Sequence, residues 1–216
     1  MSVAHEVVDK TYHHGDLKTA LLQAARAIVE EEGPEAFTLR EAARRAGVSH
    51  GAPSHHFGDK TGLLTELAIE VLGERVGLVE EAKLAAGPDP MDQLKACGQA
   101  HIAFLIEHPK LEGLCWRGNL VNRDDPRLLA VVNRMTGGLI ETMGAVLGKT
   151  LHPEKESNPS TLLAVSVVTG FAAMVNDGMI LRGVPEPERT HRAMQMASQM
   201  LDLVGAVFGP AFKDLG

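Results

Sequence analysis

The chain has 216 residues, a formal net charge of −7 and only 4% aromatic residues. This length suits one large domain or two smaller ones. The negative charge argues against a protein that meets phosphates over its whole surface, so any contact with nucleic acid must be local. Cys97 and Cys115 are too few for a disulfide framework, and the first residues lack the apolar run of a signal peptide. We therefore expect a cytoplasmic protein.

Helix-forming residues dominate, and no stretch alternates apolar and polar residues as a strand does. The sequence therefore predicts an all-α fold. The first helix is expected over residues 16–32, where Leu17, Leu21 and Ile28 recur at helical spacing. Thr38 then caps a short second helix, and Glu41, three residues later, is placed to complete a capping box.

Later helix starts are marked by a polar cap followed by proline, at Asp89-Pro90, Asp125-Pro126 and Asn158-Pro159. These starts place the remaining helices at 60–83, 90–108, 111–121, 126–148, 160–182 and 187–208. About nine helices are expected in all. Segment 161–181 is long enough to span a bilayer, but a helix that is apolar nearly all round is more typical of a core or a subunit interface. We predict an interface helix and no membrane contact.

Residues 38–57 have the form of a helix-turn-helix. Ala42 and Ala43 are small enough to let two helices cross closely, and Gly47 readily takes the positive φ of a tight turn. The outward residues of the second helix are compact donors and acceptors that suit a major groove, namely His50, Gly51, Ser54, His55 and His56. Without this motif, the simpler interpretation would be that the three histidines are solvated on a short exposed helix and have no function.

The segments YHHGDLKTALLQAA and FTLREAARRAGVSHGAPSHHFGDKTGLL resemble the DNA-binding domain of TetR-type repressors over residues 12–72. The resemblance implies an N-terminal three-helix DNA-binding domain over 12–72 and a helical ligand-binding and dimerisation domain over 73–216. It implies a DNA-binding surface made by Thr38, Arg40, His50, Gly51, Ser54, His55, His56 and Lys60. Arg40 would contact a base or phosphate, and His56 and Lys60 would hold phosphates.

The helix before the turn carries three arginines, Arg40, Arg44 and Arg45, and not all of them can point at DNA. We predict that Arg40 alone does. Many family members have leucine and then tyrosine where this chain has Pro53 and Ser54, so a common phosphate contact is missing.

The start of the recognition helix is open between two positions. Ser49 is a candidate N-cap, whereas Pro53, which has no amide hydrogen, favours a later start near Ala52.

The second domain is expected to bind a small apolar or aromatic effector, because it combines large apolar side chains with flexible methionines. The candidate ligand-binding residues are Phe104, Cys115, Trp116, Met135, Leu139, Met143, Phe171 and Met174. The same spacing is typical of an ordinary core, and most of these side chains are expected to fill one.

The last two helices, 160–182 and 187–208, are expected to form a homodimer, as the resemblance implies. Gly170, Ala172 and Ala173 allow close approach of helix backbones around a twofold axis. A homodimer would bind a near-palindromic operator, and a bound effector would weaken that binding by shifting the population of conformers. Repression is the commoner outcome in the family.

Two alternatives compete with a small-molecule-responsive repressor. Cys97, His101 and His108 lie at spacings of four and seven residues, which suits a metal-responsive regulator. The second alternative is a helical interaction module without specific DNA binding. An enzyme is not expected, because the sequence has no GxSxG, no HExxH and no glycine-rich phosphate loop. No cofactor is expected either.

Overall fold

The computed structural model describes residues 14–152 and 159–211, and within these ranges the regular structure is helical. The helices are α1 (His14–Glu32), α2 (Leu39–Ala46), α3 (Ala52–Phe57), α4 (Lys60–Ala85), α5 (Pro90–Glu107), α6 (Pro109–Cys115), α7 (Pro126–Leu147), α8 (Pro159–Asn176) and α9 (Glu188–Ala211). The predicted all-α fold of about nine helices is confirmed for the described part of the chain.

The polar-cap and proline pairs mark helix starts as predicted. The Asp89 carboxylate accepts hydrogen bonds from the backbone amides of Met91 and Asp92, at 2.9 and 3.0 Å. The Asp125 carboxylate accepts from the amide of Arg127 at 2.8 Å. The third cap, Asn158, lies outside the described residues, although α8 begins at the proline that follows it.

The sixth helix is shorter than predicted, because it ends at Cys115 instead of continuing to residue 121. The chain turns after the helix, and the amides of Leu120 and Val121 donate to the carbonyl of Arg117 at 2.8 and 3.1 Å. The backbone amide of Asn122 donates to the hydroxyl of Thr65 on α4 at 2.8 Å, and this bond holds the chain in a turn. The spacing of apolar residues in the sequence gives no indication of such a contact.

The eighth helix also ends early, at Asn176 rather than at residue 182. Gly178 takes φ +67°. Its amide donates to Val175, and the amide of Met179 donates to Met174, at 3.2 and 2.9 Å. This is a Schellman cap, in which a left-handed glycine closes the helix.

Two clusters of buried side chains form the interior. The first joins α1–α4 to α5, α6 and α7, and includes Leu21, Leu67 and Phe104. The second lies between α5, α8 and α9. Full burial of one such leucine contributes roughly 1.5–3 kcal/mol. The boundary expected between residues 72 and 73 falls inside α4, so this helix belongs to both halves of the molecule.

Candidate nucleic-acid interface

Hydrogen bonds at both ends of α2 define the helix that precedes the turn. The hydroxyl of Thr38 accepts from the amide of Glu41 at 3.2 Å, so the predicted N-cap is present. Gly47 has φ +67° and ends the helix. Its amide donates to Arg44, and the amide of Val48 donates to Ala43 at 3.0 Å, again in the Schellman pattern.

The second half of the predicted capping box does not form. The Glu41 carboxylate accepts from Arg44 at 2.6 and 2.8 Å and from Arg45 at 2.9 Å, instead of returning to the Thr38 amide. Hydrogen bonds from Arg44, and then from Arg45, lower the pKa of Glu41 to about 2. Two guanidinium groups on the next turn offer this carboxylate stronger, charge-assisted bonds than a single amide does.

The recognition helix begins at Ala52, as the position of proline predicts. Gly51 is at the N-cap, and Pro53 lies buried in the first turn, where a missing amide hydrogen leaves no bond unmade. Ser49 does not cap the helix with its side chain; its carbonyl accepts from the amide of Ala52 at 3.0 Å in the preceding turn.

The recognition helix and the turn before it present a compact polar surface. His50, Gly51, Ser54 and His55 are exposed, and His56 is half-buried. The rings of His55 and His56 meet edge to face, with centroids 5.3 Å apart. Compact groups of this kind can approach base edges and phosphates closely.

The three arginines of α2 have different surroundings. Arg45 pairs with Glu31 at 2.5 Å, with Glu32 at 2.6 Å and with Glu41. Arg44 is also paired with Glu41. Arg40 is exposed and makes no ion pair with any residue that the structure describes. It is therefore the arginine of this helix that is available to another molecule.

Lys60 is the predicted DNA contact that turns inward. Its ammonium group donates to the carbonyl of Phe37 at 2.7 Å and lies 5.8 Å from the centre of that residue's ring. The bond ties the start of α4 to the segment between α1 and α2. A phosphate contact by Lys60 stays a prediction, and its observed role is to position α4.

Close packing at Gly62 fixes the recognition helix against α4. A Cβ atom at this position would lie 2.0 Å from the backbone oxygen of Phe57, the last residue of α3. The Gly62 amide also donates to the Asp59 carboxylate at 2.8 Å. Only glycine allows this approach, so the direction of α3 depends on α4.

The predicted effector-binding residues are not gathered around one cavity. Phe104 belongs to the first core cluster and Phe171 to the second. Trp116 is 41% exposed and Met174 is 39% exposed. Met143 lines a narrow cavity of about 40 Å³ between α5, α7, α8 and α9.

The remaining predicted effector contacts lie on α6 and α7. Cys115 is buried, its thiol donates to the carbonyl of Leu111 at 3.3 Å, and burial raises its pKa to about 12. Met135 and Leu139 are partly buried, one turn apart on α7. These assignments stay predictions.

A buried polar cluster between α4, α5, α6 and α7 is the feature that sequence reasoning missed. The Arg75 side chain is 1% exposed, and its Nη1 donates to Glu112 at 2.5 Å. The indole of Trp116 donates to the same carboxylate. Burial, and then the charge of Arg75, lower the pKa of His101 to about 4. The sequence signal that could have revealed this cluster is Arg75 itself, an arginine that lies one turn after Val71 on the buried stripe of α4.

The three residues of the metal hypothesis do not converge. The thiol of Cys97 faces the carbonyl of Val79, at 3.9 Å. The His108 ring lies 3.3 Å from a Glu30 oxygen and 4.9 Å from the ring centre of Phe104. Among the described residues, no three histidine, cysteine or carboxylate side chains are grouped to hold a metal ion.

An open polar cleft of about 690 Å³ separates the DNA-binding helices from the segment between α6 and α7. Glu66 on its wall joins Lys18 of α1 to Arg127 of α7, each at 2.6 Å. The pKa of Glu66 lies below its usual value, because hydrogen bonds from Lys18 and Arg127 outweigh the cost of burial. The cleft is therefore bridged by charges that connect the two halves of the molecule.

The sequence matches a known family and its curated members. The model for the family described as bacterial regulatory proteins, tetR family, matches residues 21–67. The HTH-type transcriptional regulator BetI of Paraburkholderia xenovorans is 30% identical over 191 residues, which cover 87% of this chain and 92% of the relative. BetI of Burkholderia cenocepacia is 29% identical over 192 residues, covering 87% and 93%.

Solved structures share the fold over most of the chain. A protein of unknown function from a Rhodococcus species superposes with a TM-score of 0.68 at 27% identity, covering 88% of this chain and 98% of that one. The TetR family transcriptional regulator PfmR of Thermus thermophilus gives 0.61 at 20% identity, covering 84% and 97%. The helix-turn-helix, the curated relatives and the shared fold agree, and the chain belongs to the TetR family of DNA-binding transcriptional regulators.

Proposed function

We propose that this regulator is a cytoplasmic repressor that binds a near-palindromic operator as a homodimer and is released by a small effector. The observation that carries the proposal is the surface formed by Arg40, His50, Ser54 and His55. These side chains are exposed on the two helices of the motif. Basic and compact polar groups on one local surface suit phosphates and base edges in spite of the negative total charge.

The homodimer is proposed to form through α8 and α9, since both helices expose large apolar side chains. Leu162 and Val165 of α8 are 56% and 42% exposed, and Met196 and Leu203 of α9 are 38% and 69% exposed. By length and composition α8 also qualifies as a membrane span, with 28% of it buried. An apolar face on two adjacent helices is explained by an isologous contact with a second copy.

Effector binding is proposed to reach DNA through α4 and α6. The fourth helix carries both Gly62, which packs on α3, and Arg75. The sixth helix pairs with Arg75 through Glu112, and the adjacent Lys110 donates to the backbone carbonyl of Glu31, at the end of α1, at 2.6 Å. A movement of either helix therefore changes how the DNA-binding helices are held, and so shifts the spacing of the two recognition helices in a dimer.

The experiment that tests this function is selection of random duplex DNA on the purified protein, at stated salt concentrations because phosphate contacts make affinity salt-dependent. We expect enrichment of an inverted repeat with half-site centres one helical turn or a multiple apart, about 34–36 Å at the minimum. A failure to enrich any sequence at low salt would contradict the proposal and favour a helical interaction module.

A further inference from the structure

Arg75 has more hydrogen-bond donors than its surroundings use. Its side chain is 1% exposed, and Nη1 alone has a full-strength acceptor, the Glu112 carboxylate at 2.5 Å. The Nη2 group lies 2.8 Å from the thioether sulfur of Met135, which is a weak acceptor. The buried Nε atom has no hydrogen-bond partner among the described residues. A buried charged donor left unpaired costs more free energy than a neutral one.

The two underused donors lie on the same edge of the guanidinium group. In arginine, the Nε–H and one N–H of Nη2 point the same way, whereas Nη1 lies on the other side, next to Cδ. A carboxylate can bind this side edge with two parallel hydrogen bonds, in the fork geometry typical of arginine. Glu112 does not use that edge, because it binds the far side.

The thioether of Met135 is the contact observed at this edge of Arg75. Met135 is an unbranched side chain that can turn aside when a stronger acceptor arrives. Burial keeps His101 neutral at pH 7, by lowering its pKa to about 4, and keeps Cys115 protonated, by raising its pKa to about 12. The charged groups facing an incoming anion are thus Arg75, which attracts it, and Glu112, which competes for the same guanidinium.

We propose that the effector is an organic carboxylate that binds the Nε and Nη2 edge of Arg75 and displaces the Met135 thioether. This inference rests on the proposed function and defines the class of its effector. A second carboxylate on Arg75 weakens the hold of Glu112 on it, and Glu112 belongs to the helix that is tied to α1 through Lys110. Binding is thereby linked to the DNA-binding helices.

Trp116 provides the assay, because it is the one tryptophan of the chain and its indole donates to Glu112. The full-length protein is titrated with octanoate, benzoate and phenylacetate, and with the matched neutral compounds 1-octanol, benzyl alcohol and 2-phenylethanol. We expect a saturable change of tryptophan fluorescence, and a raised melting temperature, with at least one carboxylate and a response at least about tenfold weaker with its matched alcohol.

Two variants and one control locate the binding. Arg75→Gln is expected to weaken carboxylate binding by at least about tenfold, because it removes the charged fork that makes both hydrogen bonds. Glu112→Gln removes the competing carboxylate, so binding is expected to tighten. Arg134→Gln is the matched control, because Arg134 joins α7 to α4 through an exposed ion pair with Glu80, and it should bind as the unmodified protein does.

The outcomes separate this inference from the proposed function. If none of the carboxylates binds, if the alcohols bind equally well, or if Glu112→Gln weakens binding as much as Arg75→Gln does, the inference is overturned. In that case, selection of an operator with the same preparation would still support the proposed DNA-binding function. If a carboxylate binds at Arg75 and does not alter operator affinity, the site stands as a binding site but its role as the effector site is overturned.

Discussion

Single residues of the helix-turn-helix show how much of the candidate DNA-binding surface was predictable from the sequence. The motif and its spacing predicted the exposed positions His50, Ser54 and His55, because a glycine turn fixes which side of the next helix faces outward. The choice of Arg40 over Arg44 also agrees with the observed ion pairs. Arg75 was not predictable as a binding residue, because which of its donors are underused depends on partners from two other helices, Glu112 of α6 and Met135 of α7.

Replacement of Arg40 and His55 by alanine is expected to abolish most operator binding while leaving the fold intact. Each lost base or phosphate contact costs roughly 1–3 kcal/mol, or about five- to 150-fold in affinity. Arg44→Ala is the control, because Arg44 is engaged with Glu41. Fluorescence anisotropy with the selected duplex measures affinity, and circular dichroism verifies folding. Equal losses for Arg44→Ala and the double variant would refute the assigned surface.

His101 should make the protein less stable in mild acid. Its pKa falls from 6.5 to about 4 on folding, because burial and then the charge of Arg75 oppose its protonation. The unfolded chain therefore binds a proton that the folded chain rejects, so stability rises with pH across this interval. Between pH 7 and pH 5 this histidine should cost about 2 kcal/mol of unfolding free energy.

The measurement is urea unfolding of the protein and of His101→Gln at pH 7 and pH 5. The loss on acidification should be smaller in the variant by about 2 kcal/mol. Carboxylates elsewhere titrate alike in both proteins, so the difference reports His101. Parallel losses would show that the folded state accommodates the protonated ring.

At the scale of elements, local signals predicted where helices begin better than where they end. Asp89 and Asp125 cap their helices through contacts within a few residues, and such contacts are readable in a sequence. The segment that follows α6 is held by Thr65, which lies far away in the chain. The early end of α8 depends on Gly178, which occurs in a run of helix-compatible residues where one glycine is ambiguous.

Two glycines of α4 should respond oppositely to alanine. At Gly62 the added Cβ would meet the Phe57 carbonyl oxygen at 2.0 Å, so α3 must move, at a cost of roughly 1–3 kcal/mol and with weakened operator binding. At Gly73 the Cβ meets nothing within 4 Å. Alanine there should stabilise the helix by about 0.5–1 kcal/mol and leave operator binding unchanged.

Thermal unfolding and anisotropy of both variants test this contrast. Because both substitutions lie in the same helix and add the same methyl group, differences in helix propensity cancel. Gly62→Ala with unchanged operator binding would show that α3 is positioned independently of α4.

On the scale of the whole molecule, α8 shows what apolar spacing alone leaves undecided. The sequence placed Gly170, Ala172 and Ala173 at the subunit contact; the structure buries Ala172 in the cluster shared with α5 and α9 of the same chain, whereas Gly170 and Ala173 are exposed. Leu162 and Val165 are larger apolar side chains that this helix also exposes. A helix that is apolar all round has two faces to cover, and the sequence does not say which one the protomer covers itself.

Leu162→Glu combined with Leu203→Glu is therefore expected to yield a folded monomer. Both side chains are more than half exposed in the single chain, so the substitutions leave the two cores untouched, and in a symmetric contact each charge is buried twice. Leu84→Glu is the control, since Leu84 is 81% exposed at the far end of α4.

Sedimentation should give a dimer for the unmodified protein and the control, and a monomer for the double variant. The monomer should bind an isolated half-site weakly and lose the gain from a second half-site, because that gain requires two linked recognition helices. A double variant that remains dimeric would place the subunit contact elsewhere, and one that is monomeric but binds the full operator with undiminished affinity would separate DNA recognition from dimerisation.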